Sequence, residues 1–111
     1  MAEVSKEVQD KALEILEVAN STGKIKKGTN EVTKALERET AKFVAYAGDV
    51  NPKEITMHIP LLAKEKEIPC VEVPNKDDLG AAAGLNVGTA AVVVINEGNS
   101  KDLIADLKKQ L

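Results

Sequence analysis

The run Ala91-Val92-Val93-Val94-Ile95 constrains this chain more than any other stretch. It is apolar throughout and rich in β-branched residues, which reads as a strand. Side chains alternate between the two faces of a strand, so a run with no polar position has no face to give to water. It needs cover on both sides. Amphipathic segments around it supply that cover. Val8, Ala12, Ile15, Leu16 and Ala19 share one helical face, which predicts a helix over roughly 6–21 with Ser5 as N-cap and Gly23 as its stop. Lys24 to Lys27 reads as a short strand, and Thr29 as the N-cap of a second helix running to about Glu37. Lys42 to Ala47 is a buried strand. Asn51-Pro52-Lys53-Glu54 starts a third helix that must end before Ile68-Pro69. Cys70 to Val73 is a strand, Asn75 caps a short helix through Ala83 that Gly84 stops, and Ser100 caps the terminal helix. Strands and helices alternate with no linker or low-complexity segment. The expected fold is therefore α/β, one domain over residues 1–111, with helices on both faces of one mixed sheet.

Composition removes several functions. One Phe, one Tyr and no Trp in 111 residues leave nothing to build rows of base-stacking aromatic side chains. The single cysteine, Cys70, cannot form an intrachain disulfide or a cysteine-rich zinc site, and its apolar surroundings (Ile68 to Val73) read as those of a small buried thiol. His58 is the only histidine, so metal sites that need several are excluded, and a packed or hydrogen-bonded role is expected for it. No Ser or Cys has an evident base partner. Asp49, Asp77 and Asp78 read as turn and capping residues. No catalytic residue, metal site or cofactor is expected. The first twenty residues are studded with charge, and Ala90 to Ile95 is far short of the ~20 residues that cross a bilayer. The expectation is a soluble cytoplasmic protein with no membrane partner. Its Lys and Glu enrichment leans towards a heat-adapted source.

The net charge of -3 conceals an uneven distribution. Residues 22–42 carry six basic groups (Lys24, Lys26, Lys27, Lys34, Arg38, Lys42) against three acidic ones (Glu31, Glu37, Glu39), a local +3. The other ninety residues carry nine basic and fifteen acidic groups, or -6. At about 100° per residue, Asn30, Glu31, Lys34 and Arg38 fall on one side of the second helix, and Val32, Ala35 and Leu36 on the other. The polar side starts at a helix N-terminus behind Gly28, where backbone N–H groups favour anions. A simple phosphate clamp has no use for Glu31. A carboxylate among cations suits a nucleic-acid surface, because it can accept from base amino groups such as those of guanine. A second candidate is Leu85-Asn86-Val87-Gly88-Thr89-Ala90. Gly84 and Gly88 bracket Leu85 and Val87, two apolar residues at a turn. Exposed, they suit unstacked bases; folded back, they belong to the core. Both readings stay open on sequence alone.

Lys27-Gly28-Thr29-Asn30-Glu31-Val32-Thr33-Lys34-Ala35-Leu36-Glu37-Arg38 resembles the archaeal large-subunit ribosomal protein L-seven-Ae family, which binds RNA kink-turns. The likeness continues through Ala47-Gly48-Asp49-Val50, His58-Ile59-Pro60-Leu61-Leu62, Val73-Pro74-Asn75-Lys76-Asp77-Asp78-Leu79-Gly80 and Ile95-Asn96-Glu97-Gly98, covering essentially the whole chain. The resemblance implies a three-layer α-β-α sandwich and a non-enzymatic protein that recognises sheared G·A pairs at a sharp bend. It implies that Asn30 and Glu31 read those guanines with support from Lys34. Lys27, Gly28, Thr29 and Arg38 would follow the RNA backbone, and Leu85 to Ala90 would cover a flipped-out nucleotide and neighbouring bases. Lys24 joins this set as a basic group of more general RNA affinity. The implied partners are ribosomal RNA, box C/D and H/ACA guide RNAs and RNase P RNA, with its link to tRNA processing. A box C/D scaffold protein and fibrillarin would join in the assembled particle, and the free protein would be a monomer.

Three positions depart from the family pattern. Glu39 stands where glycine is common after Glu-Arg, which would place a negative charge near the RNA face. Asn86 replaces a commonly charged residue, and Gly48 replaces a frequent Glu, as in the eukaryotic H/ACA relative. A small α/β nucleotide-binding domain or enzyme, with Gly80 to Gly88 as its loop, is the alternative. That stretch lacks the Gly-Lys-Ser/Thr ending of a phosphate loop.

Overall fold

The computed structural model describes residues 6–49 and 56–110. In chain order the elements are α1 (Lys6–Thr22), β1 (Lys24–Lys27), α2 (Thr29–Glu37), β2 (Phe43–Ala47), α3 (His58–Glu65), β3 (Cys70–Val73), α4 (Lys76–Ala82), β4 (Ala91–Asn96) and α5 (Lys101–Gln110). The strands form one sheet in the order β1-β4-β2-β3. β4 is antiparallel to both of its neighbours, and β2 and β3 run parallel. The expected strand at 42–47 thus begins one residue later. Ser5 and the Asn51-Pro52-Lys53-Glu54 start lie outside the described residues.

The sheet is covered on both sides, as the β4 run demands. Val92 and Val94 face one apolar cluster with Ile15, Leu16, Leu79 and Leu107 from α1, α4 and α5. Ala91 and Val93 face a second cluster with Val32, Leu36, Ile59 and Ala63 from α2 and α3. Val92, Val93 and Val94 are wholly buried. Each contributes about 1.5–3 kcal/mol of transfer free energy, so β4 anchors both layers. The result is a three-layer α-β-α sandwich.

Helix ends show where local expectations give way. Asn75 caps α4, its side chain accepting from the Asp77 N–H at 2.8 Å. Thr29 does not cap α2: it is the first helical residue, and the cap position belongs to Gly28, which offers no side chain. Ser100 closes a 3-10 turn (Gly98–Ser100), and its hydroxyl donates to the Glu97 carbonyl at 2.6 Å. Because α5 follows directly from that turn, a separate side-chain cap is not needed to start it.

Three helices end in the same Schellman hydrogen-bond pattern. After α2, the Thr40 N–H donates to the Ala35 carbonyl (3.0 Å) and the Glu39 N–H to Leu36 (3.1 Å). After α3, Ile68 donates to Ala63 (2.8 Å) and Glu67 to Lys64 (3.1 Å). After α4, Leu85 donates to Gly80 (2.9 Å) and Gly84 to Ala81 (3.0 Å). The pattern needs a left-handed residue at its turn. Gly84 supplies it with φ 80°, while Glu39 and Glu67 are both forced to φ 59°.

Cys70 is only half-buried, against the sequence expectation: on edge strand β3 it faces the α2-α3 cluster, which covers it in part, whereas Val71 and Val73 on the other face are wholly buried. Burial, with the Glu72 carboxylate nearby, still pushes its thiol up to about 12.

Candidate nucleic-acid interface

The antiparallel register brings the two candidate segments to one end of the sheet. Lys27 pairs with Val92 across β1 and β4, so the chain leaving β1 passes the chain entering β4. The Gly28 N–H donates to the Ala91 carbonyl at 2.9 Å, and the Ala47 N–H donates to Ala90 at 2.9 Å. The N-terminus of α2 and the loop after α4 are therefore neighbours. Nothing in their sequence separation announces this.

Gly28 turns the chain out of β1 and into α2 with φ 104° and ψ 147°. This backbone region is almost closed to residues with a Cβ. A Cβ there would meet nothing within 4 Å, so the requirement is conformational and not one of space. The first helical rung is the Val32 N–H to the Gly28 carbonyl, at 3.0 Å. The N–H groups of Thr29, Asn30 and Glu31 precede it and point out of the helix end without a side-chain cap.

Burial divides α2 as the helical geometry requires. Val32, Ala35 and Leu36 are buried, Asn30, Lys34, Glu37 and Arg38 are exposed, and Glu31 is half-exposed. Among the described residues the one ion pair joins Lys66 to Glu39 at 3.6 Å. The Glu31 carboxylate and the Asn30 amide thus have no partner within the described protein, and the basic groups of residues 22–42 are not neutralised by one. The Arg38 backbone lies at the far end of α2, about 12 Å along the axis from Asn30.

The loop resolves into two parts. Val87 is 70% exposed, the apolar tip expected of a base-contacting loop. Leu85 is half-buried and packs on the α1-α4-α5 cluster, so it serves the core and is not an exposed tip. Asn86 is exposed, whereas Gly88, Thr89 and Ala90 are half-buried where the loop rejoins the sheet. The Thr89 N–H donates to the Lys76 carbonyl at 3.1 Å, pinning the loop to the start of α4. Gly80 has a packing reason: a Cβ there would run into the Val87 carbonyl. Close helix–loop contact at Gly80 and the left-handed turn at Gly84 account for the glycines that superficially resemble a phosphate loop.

Two charged residues expected at or near this face sit away from the start of α2. Lys24 is at the opposite end of β1, about 10 Å from Lys27 along the strand. Glu39 lies beyond the C-terminal end of α2, beside Lys66, Lys42 and Glu67, about 13 Å from Asn30. That separation exceeds the Debye length of about 8 Å at physiological salt, so its charge barely reaches the α2 N-terminus. A further cation lies next to the loop: Lys76 is exposed at the first position of α4, its N–H donates to Asp49 Oδ1 at 2.9 Å, and its carbonyl holds the loop. Asp49 takes the capping role expected of it.

The comparisons with known proteins agree with this architecture. The model of the Ribosomal protein L7Ae/L30e/S12e/Gadd45 family matches residues 10–104. Among solved structures, the Giardia lamblia 15.5kD RNA binding protein is similar, with a TM-score of 0.91 and 27% sequence identity. That likeness covers 99% of this chain and 92% of the other. On the family match across nearly the whole chain, together with the sandwich fold, the chain belongs to the ribosomal protein L7Ae/L30e/S12e/Gadd45 family.

Proposed function

We propose that this chain is a non-enzymatic RNA-binding protein that recognises kink-turns and stabilises their bent form. The observation that carries the reading is the Asn30-Glu31-Lys34 face, without a partner among the described residues, at the uncapped start of α2 beside the exposed Val87. The likeness to a protein described as an RNA binding protein supports it. Glu31 accepts from guanine amino groups, and the Asn30 amide both donates and accepts on a base edge. Lys34 and Lys27 meet phosphates, with the free N–H groups of Thr29 and Asn30 as further donors. Val87 packs against an unstacked base. Residue-by-residue roles for Gly28, Arg38, Asn86, Gly88, Thr89 and Ala90 belong to the same proposal. Lys24, at the far end of β1, contributes only general attraction.

A protein that binds the bent RNA better than the extended one populates the bend by that difference alone, with no chemistry of its own. The proposed targets are large-subunit ribosomal RNA, box C/D and H/ACA guide RNAs and RNase P RNA, where the bend nucleates ribonucleoprotein assembly. A box C/D scaffold protein and fibrillarin follow in the assembled particle. Met57 (64% exposed) and Leu61 (71% exposed), one turn apart at the start of α3, offer an apolar surface for a protein partner. We place the protein in the cytoplasm, monomeric when free.

A gel-shift titration against a kink-turn RNA, and against the same RNA with its G·A pairs replaced, tests this. Tight binding to the first and much weaker binding to the second is expected, with Glu31→Ala narrowing the gap and Lys24→Ala lowering both affinities alike. Equal affinity for the two RNAs, or no binding at modest salt, sinks the proposal.

A further inference from the structure

We propose that His58, acting through Thr33, is a positioning residue for the turn of α2 that carries Asn30 and Glu31; the functional half of this inference rests on the RNA reading above. The Thr33 hydroxyl donates to the Thr29 carbonyl at 2.8 Å. A hydroxyl has one proton to give, and that bond uses it. His58 Nε2 stands 2.7 Å from the same Thr33 oxygen. The imidazole therefore carries its proton on Nε2 and donates it to Thr33. The first residue of α3 is tied by this chain to the first residue of α2.

The tie falls where α2 needs it. Gly28 brings no capping side chain, the N–H groups of Thr29 to Glu31 have no partner among the described residues, and α2 is only 9 residues long. A short helix with an uncapped end frays from that end. Asn30 and Glu31 stand between Thr29 and Thr33, and among the described residues no hydrogen bond or ion pair of their side chains fixes them. Their aim is set by the backbone that the His58-Thr33-Thr29 chain holds from both sides of the turn. This gives the chain's only histidine a task that neither packing nor chemistry assigns to it. His58 is exposed, so the core does not demand it.

Three measurements test the inference. In the free protein, a long-range proton–nitrogen NMR spectrum at mildly alkaline pH carries one set of imidazole signals, because there is one histidine. Protonation on Nε2 is expected; a proton on Nδ1 instead overturns the proposal. Amide exchange at Val32 should be faster in His58→Leu than in the parent, and an unchanged rate also overturns it. Binding is then compared for the kink-turn RNA and its G·A-replaced form. His58→Leu and Thr33→Val should each cut the affinity ratio about fivefold, the worth of one hydrogen bond near 1 kcal/mol. His58→Gln, whose amide nitrogen reaches where Nε2 stood, and Thr33→Ser should restore most of it. A ratio unmoved by Leu and Val, or lost equally in Gln and Leu, overturns the positioning role. If the parent protein fails to tell the two RNAs apart, the RNA reading falls with the functional half. The tautomer and exchange results then still decide the tie itself.

Discussion

Replacing Glu67 by glycine should stabilise this protein, although it deletes a side chain and adds no contact. Glu67 occupies the left-handed position of the Schellman turn that ends α3, with φ 59°. A residue with a Cβ spends about 1–2 kcal/mol in that region. Glycine's greater freedom in the unfolded chain takes back about 0.5–1 kcal/mol. The net gain is about 0.5–1 kcal/mol, which at this chain length raises the melting temperature by roughly 2–4 °C. Glu39, after α2, has the same φ of 59° but also pairs with Lys66 at 3.6 Å. That exposed pair is worth at most about 0.5 kcal/mol, so Glu39→Gly should gain less than Glu67→Gly. The assay is reversible denaturant unfolding followed by circular dichroism, with Glu67→Ala alongside. Alanine removes the same charge but keeps the Cβ, so it should gain nothing. If Glu67→Ala stabilises as much as Glu67→Gly, the backbone argument is wrong and the carboxylate was the cost. Glu39→Gly carries a functional corollary: at about 13 Å from Asn30 its charge is screened, and RNA affinity at physiological salt should change less than about twofold.

Gly28→Ala should cost about 1–3 kcal/mol by denaturant unfolding despite the open space around its Cα, because φ 104° excludes alanine. Leu85→Ala and Val87→Ala should separate cleanly. The first loses about 1–2 kcal/mol of stability, since Leu85 packs on the core, and the second leaves stability unchanged but weakens RNA binding in gel shift. Alkali should destabilise the fold: burial first, and the Glu72 charge second, raise Cys70 from 9.0 and Tyr46 from 10.0 to about 12 each. Both groups hold their protons more tightly folded than unfolded, so their contribution is complete below about pH 9 and lost as pH rises towards about 12. Denaturant midpoints at stepped pH should fall through that window, less steeply in Tyr46→Phe, and a flat profile would contradict the shift.

Much of the fold is legible in the sequence because local and global preferences agree. The Ala91–Ile95 run could only be a strand covered on both faces, and the apolar stripe of α1 and the Asn75 cap resolve from residue spacing alone. The polar face of α2 follows from the helical period, since Val32, Ala35 and Leu36 leave Asn30, Glu31 and Lys34 one side to occupy. Elsewhere, a choice between two locally acceptable answers was made by distant residues. Thr29 is a good cap by type, but Gly28 alone can adopt the φ that turns β1 into α2. Leu85 and Val87 look alike in a glycine-bracketed loop, yet α4 and the core capture Leu85 and leave Val87 outside. Lys24 and Glu39 share the basic segment with Asn30, but strand and helix geometry carries them to its far ends.

A sandwiched sheet, a helix with one polar face, and a basic segment in an acidic chain are all written in local sequence. These depend on neighbours a few residues apart, where periodicity and propensity act. Packing between distant segments sets which of those charged residues share an edge, puts the loop after α4 beside Gly28, and brings His58 to Thr33. Those are long-range juxtapositions, set by strand register between β1 and β4 and by the packing of α3 on α2, and no local preference encodes them.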